Sequence, residues 1–144
     1  MFLDAQLRFS DAQAITADAE STNTIDMSAV RDIGTGRPLH IVTVVDVAMT
    51  DGSSDSTLAV ILHADSTTTI TPDATLTLYT IPAVTGTGNM YISTLSPGHA
   101  VMQYRYFALR YTPANGNLTT GSFTSFIALD IQQATLYADN ITIS

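Results

Sequence analysis

A chain of 144 residues is long enough for one domain with a real core, and with only 12% charged residues its surface must be largely uncharged polar, which Ser and Thr supply at about a quarter of all positions. Thirteen acids against five arginines and no lysine give a net charge of −8, which argues against direct nucleic-acid binding, since that needs a positive stripe. The absence of cysteine excludes disulfides, thiolate metal sites and cysteine nucleophiles; no apolar run reaches the ~18 residues of a membrane helix, and "MFLDAQLRFSDAQ" lacks a secretory pattern, so a soluble protein made in the cytosol is expected.

In chain order, the period is two almost throughout, the mark of strands. "AQAIT" and "TNTIDM" read as short, weak strands, with "TADAE" (16–20) as a turn between them. "RDIGTGRPLHIVTVVDVAM" (31–49) then sets two glycines beside a long apolar run. A dinucleotide loop has its strand before the glycines and a helix after them. Here the strand follows, a third glycine is missing, and the plain reading is a bend that feeds a strand beginning at Pro38.

That strand, 38–50, puts Leu39, Ile41, Thr43, Val45, Val47 and Met49 on one face and His40, Val42, Val44, Asp46 and Ala48 on the other. The turn-rich "DGSSD" (51–55) leads into "STLAVILHA" (56–64), and the pair reads as a hairpin with Thr43 opposite His63. Further strands are expected at 74–82, 89–95, 102–112 and 121–132. The third carries Arg105, Phe107, Leu109 and Tyr111 on one face, and the last carries Phe123, Ile127, Leu129 and Ile131. Helix is nearly absent. Many short strands separated by turn signals predict an all-β, single-domain jelly-roll β-sandwich, with 133–144 as a C-terminal extension and 1–10 as an arm or an ordinary edge strand.

No catalytic or metal-binding pattern stands out. His40 and His63 would be about three residues out of register in the hairpin, and His99 follows Pro97-Gly98 in a loop, so a zinc site is not expected. No Gly-x-Ser-x-Gly elbow marks a nucleophile, and the one carboxylate pair inside strands, Asp46 with Asp130, needs neighbouring strands to act on a glycoside. "DGSSDS" lacks the ligand ladder of a calcium loop. Tyr79, Tyr91, Tyr104, Tyr106 and Tyr111 suit either a protein interface or a sugar-stacking platform, with Tyr104 and Tyr106 on one face.

"LRFSDAQAIT" (7–16), "STNTIDM" (21–27), "RDIGTGRPLHIVTVV" (31–45), "DSTLAVILHAD" (55–65), "RYFALRYT" (105–112) and "TGSFTSFIALDIQ" (120–132), in this order and spacing, resemble the Bbp16-type capsid cement proteins of tailed bacteriophages. The resemblance runs from about residue 3 to 132, is most specific in the first half and is weaker over 66–101, and the tail beyond Gln132 is longer than the family pattern. It implies a jelly roll on the outer surface of the virion head, bridging major capsid protein subunits as a homodimer and clamping the shell against packaged DNA. It implies no catalytic residue, cofactor or metal, and contact with neither nucleic acid nor membrane.

Candidate interface residues on this reading are Phe2, Leu3, Arg8, Phe9, Arg31, Arg37, Tyr104, Tyr106, Leu136 and Tyr137. The arginines suit either capsid acids or nearby acids of their own chain. The alternatives are a carbohydrate- or receptor-binding β-sandwich of the virion, recognised by saturable sugar binding, and a small hydrolase, recognised by converging Asp or His side chains.

Overall fold

A computed structural model describes residues 7–27, 39–83, 85–96 and 100–128. Nine strands run through them: β1 (Arg8–Ala14), β2 (Ala19–Glu20), β3 (Ile25–Asp26), β4 (Leu39–Thr50), β5 (Thr57–Asp65), β6 (Ala74–Ile81), β7 (Met90–Leu95), β8 (Tyr106–Ala114) and β9 (Thr120–Ala128). They form two antiparallel sheets, ordered β1-β9-β4-β7 and β2-β8-β5-β6, with β3 also paired to β8. The protein is an all-β sandwich. Its first and last long strands are neighbours, and all links but two, β2 to β3 and β5 to β6, cross from one sheet to the other, which is the wrapping of a jelly roll.

The alternating apolar residues face inward and interlock between the sheets. Phe9, Ile41, Val45, Phe123 and Ile127 come from the first sheet; Leu58, Val60, Leu62, Phe107, Leu109 and Tyr111 come from the second. Tyr111 stacks on Phe123 across the gap, with ring centroids 6.1 Å apart. Ser10, Thr43 and Ser125 are buried polar members of the same interior.

Three expectations from the sequence change. β4 and β5 are not a hairpin: β4 pairs with β7 and β9, and β5 pairs with β6 and β8, so residues 51–56 carry the chain between sheets and Thr43 does not face His63. The inward face of β4 breaks at Val47, where register shifts against β9 turn the side chain outward. The strand expected at 102–112 starts later, because Ala100–Gln103 is a 3-10 helix and β8 begins at Tyr106.

The crossing links are fastened by side chains. Asp51 accepts hydrogen bonds from Ser56 Oγ at 2.7 Å and from the Ser56 N–H at 3.1 Å, and Ser56 Oγ also lies 3.3 Å from the carbonyls of Asn115 and Gly116 in the β8–β9 turn. Asn115 (φ 65°) and Gly116 (φ 113°) both hold left-handed backbone there, which explains an Asn-Gly pair at that point. The bend expected at Gly34 and Gly36, and the first strand residue expected at Pro38, lie outside the described residues, as do His99, Leu129, Asp130, Ile131 and the 133–144 extension.

Candidate interaction surface

The two outer faces of the sandwich differ in chemistry. On the second sheet, the outward residues of β8, β5 and β6 combine polar Arg110, Thr112, His63, Thr75, Thr77 and Thr80 with Ala59, Ile61 and Ala108. Arg110 makes a two-point ion pair with Asp18, at 2.8 and 2.5 Å, and Thr112 donates to the same carboxylate at 3.0 Å. The Arg110 guanidinium holds the Asp18 carboxyl below its ordinary pKa. His63 Nδ1 sits 3.2 Å from Glu20 Oε1.

The outer face of the first sheet carries an apolar patch among polar residues such as His40, Thr94, Asp46 and Thr124. Phe126, Val42 and Ile92 lie side by side in register across β9, β4 and β7, followed by Val44 beside Met90 in the direction of Val47. Val42, Phe126 and Ala128 form a second cluster, separate from the inter-sheet core, with Val44 and Ile92 packed on it. Beyond it the face opens to solvent at Met90, 39% exposed, and Val47, 48% exposed, the two large hydrophobic side chains exposed among the described residues. An outer sandwich face is ordinarily polar. Val42 and Phe126 are themselves buried, so the part with the chemistry of an interaction surface is the exposed apolar edge at Met90 and Val47.

Charge divides just as clearly. Arg8 pairs with Asp11 at 2.8 Å, Arg105 with Asp26 at 2.7 and 3.0 Å, and Arg110 with Asp18, so every arginine among the described residues meets an acid of its own chain. For Arg8 this is the intramolecular one of its two expected roles. Arg8 stands in register with Phe126 at the margin of the apolar face. Asp46 on that face accepts from Thr124 Oγ1 at 2.5 Å.

Of the other residues expected at an interface, Phe9 is fully buried in the core and leaves the surface; its alternating position in β1 turns it inward. Tyr104 precedes β8 and packs against the core, whereas Tyr106 opens β8 with the Arg105 guanidinium 5.0 Å from its ring centroid. Phe2, Leu3, Arg31, Arg37, Leu136 and Tyr137 lie outside the described residues.

The tyrosine platform is not assembled. Tyr111 is core, and the Tyr79 and Tyr91 hydroxyls bond Thr43 and Thr85, at 2.5 and 2.8 Å, while their rings tilt against each other 6.0 Å apart. His40 and His63 project from opposite outer faces, His40 beside Thr94 at 3.0 Å. Among the described residues no three His, Asp or Glu side chains converge to hold a metal.

Alternation in the sequence does not single out Met90, Ile92, Val44 and Val47 as surface contacts. The signal for part of this was the nearly unbroken apolar run "IVTVV" in β4, which is typical of a strand covered on both faces.

Compared with known families, residues 9–127, from β1 to β9, match the family model Bbp16. A search of curated proteins gave no match.

Proposed function

The chain belongs to the Bbp16 family, and on that premise we propose that it is a capsid cement protein of a tailed bacteriophage. It sits on the outer surface of the head as a homodimer, bridges neighbouring major capsid protein subunits, and holds the shell against the pressure of packaged DNA. Its work is mechanical, with no reaction, cofactor or metal.

One observation carries this reading: on one outer face of the sandwich the apolar cluster of Val42, Phe126 and Ala128 continues to the exposed side chains of Met90 and Val47. A free-standing module has no use for that asymmetry. A body seated against a larger neighbour does, since covering the exposed Met90 and Val47 side chains contributes about 25 cal/mol per Å² removed from water. Among the described residues every arginine is paired with an acid of its own chain, and the net charge is −8, which keeps such a protein off DNA and suits a partner that is neutral or basic. A dimer that touches several subunits at once gains avidity from contacts that are individually weak.

Antibody labelling of purified heads, combined with quantitative mass spectrometry, tests the location. Expected are a fixed ratio to the major capsid protein and labelling of unopened particles. Absence from heads, or labelling only after they are broken, contradicts it.

A further inference from the structure

We infer that the edge of β7 accepts an extended segment of the major capsid protein as an added strand of the β1-β9-β4-β7 sheet, an inference that rests on the cement reading above. A two-sheet sandwich exposes edge strands whose unpaired N–H and C=O groups template further pairing, and proteins guard them with bulges, breaks, charges or cover.

Three edges here are guarded. β1 carries two register shifts, and its Phe9 and Arg8 carbonyls accept hydrogen bonds from Asn23 at 2.9 and 3.3 Å. The β2 and β3 edge is broken into two-residue pieces. β6 has a register shift opposite Val60 and Ile61, and its outward residues are threonines.

Among the described residues β7 has none of these devices. Met90 to Leu95 pair with Val44 to Leu39 in six consecutive registers without a shift, and "MYISTL" contains no charge, proline or glycine. Among the described residues β7 pairs with β4 alone.

The neighbouring side chains define the occupant. A strand added about 4.8 Å from β7 sets every second side chain beside Met90 and Ile92. That extends the apolar face formed by Phe126, Val42 and Val44. The fitting segment therefore alternates apolar residues on its outward side. It carries no acid, because the body it joins has a net charge of −8 and its described arginines are already paired. Backbone pairing supplies affinity and the alternating side chains supply selectivity, as in other strand-addition complexes.

Hydrogen exchange of the protein free and bound to stripped heads tests this, beside the edge variants Met90→Lys and Thr94→Lys and the control Thr77→Lys on β6. All three positions are exposed, so the fold is expected to survive, with thermal unfolding as the check. Expected is slowed exchange on binding at alternate β7 amides, the signature of a new ladder, and binding weakened at least about tenfold by either β7 variant but not by Thr77→Lys. Full binding with unchanged β7 exchange overturns the strand addition and leaves the cement reading standing. Concentration-dependent β7 protection in the free protein overturns it in favour of a second copy as occupant. Failure of the unaltered protein to bind heads overturns both.

Discussion

The Tyr111 hydroxyl donates to Ser125 Oγ at 2.8 Å, joining β8 of one sheet to β9 of the other through the middle of the core. The contact is one link in a line of hydroxyls. Ser125 meets Thr43 at 2.8 Å, and Thr43 meets the Tyr79 hydroxyl at 2.5 Å. On the other side, Tyr111 meets Ser10 at 2.8 Å, and Ser10 donates to Gln13 Oε1 at 2.8 Å. Hydrophobic packing alone permits two sheets to slide. Directional bonds between buried groups fix their relative position, because a displaced hydroxyl is left without a partner in a medium that cannot solvate it.

Tyr111→Phe keeps the ring on Phe123 and removes the hydroxyl that donates to Ser125 and contacts Ser10, so a loss of about 1–3 kcal/mol is expected. Ser125→Ala acts on the same line. Urea unfolding of both single variants and the double variant is expected to show coupling of about 0.5–1.5 kcal/mol. Strictly additive losses would mean that the line does not act as a unit.

Tyr79 and Tyr111 also set the alkaline limit of the fold. Burial pushes both phenols above their ordinary pKa of 10.0. In the unfolded chain they ionise near pH 10, while in the folded protein they stay protonated. Their contribution is therefore complete below pH 10 and is lost as pH rises beyond it. Unfolding midpoints measured from pH 8 to 11.5 are expected to fall steeply above pH 10 in the unaltered protein and less steeply in Tyr79→Phe.

The acid limit runs the other way. The Thr67 N–H bonds Asp65 Oδ1 at 2.8 Å and, with the Thr67 hydroxyl and the Thr71 N–H, holds that carboxyl below its ordinary value of 3.8. A depressed value stabilises the fold above about pH 4, and the effect is lost as pH falls through the folded pKa. Asp65→Asn is expected to reduce the difference between urea midpoints at pH 6 and pH 3. An unchanged difference would show that the loop from 66 to 73 does not depend on the charge.

Ala12 holds φ 47°, in the left-handed region, at an exposed position in β1 where its N–H bonds Thr124 Oγ1 at 2.9 Å. A side chain there costs about 1–2 kcal/mol, and glycine returns part of that as chain entropy. Ala12→Gly is expected to stabilise by about 0.5–1 kcal/mol, read as a rise of a few degrees in Tm.

Much of the fold was legible because alternation is a local signal. β4, β5, β6, β7 and β9 begin within a residue or two of where their apolar patterns place them. The pairing of β4 with β5 was misread because "DGSSD" looks the same whether it turns a chain back on its own sheet or carries it to the opposite one. What decides is Asp51 capping Ser56 and Ser56 reaching Asn115, 59 residues away.

The tyrosines gave an ambiguous signal for a related reason. Tyr111 reads as an interface residue until Ser10 and Ser125 are brought to its hydroxyl, the former from 101 residues away. The interaction surface was partly visible in the doubled hydrophobicity of Val42 and Val44, but Val47 faces outward only through its bulge, which periodicity does not encode.

The most direct measurement removes the protein from purified heads and follows DNA release on heating, before and after it is added back. Expected are stripped heads that lose their DNA at a lower temperature and recover when the protein is restored, with weaker recovery for Met90→Lys. Stripped and restored heads that release DNA at the same temperature would contradict a role in holding the shell.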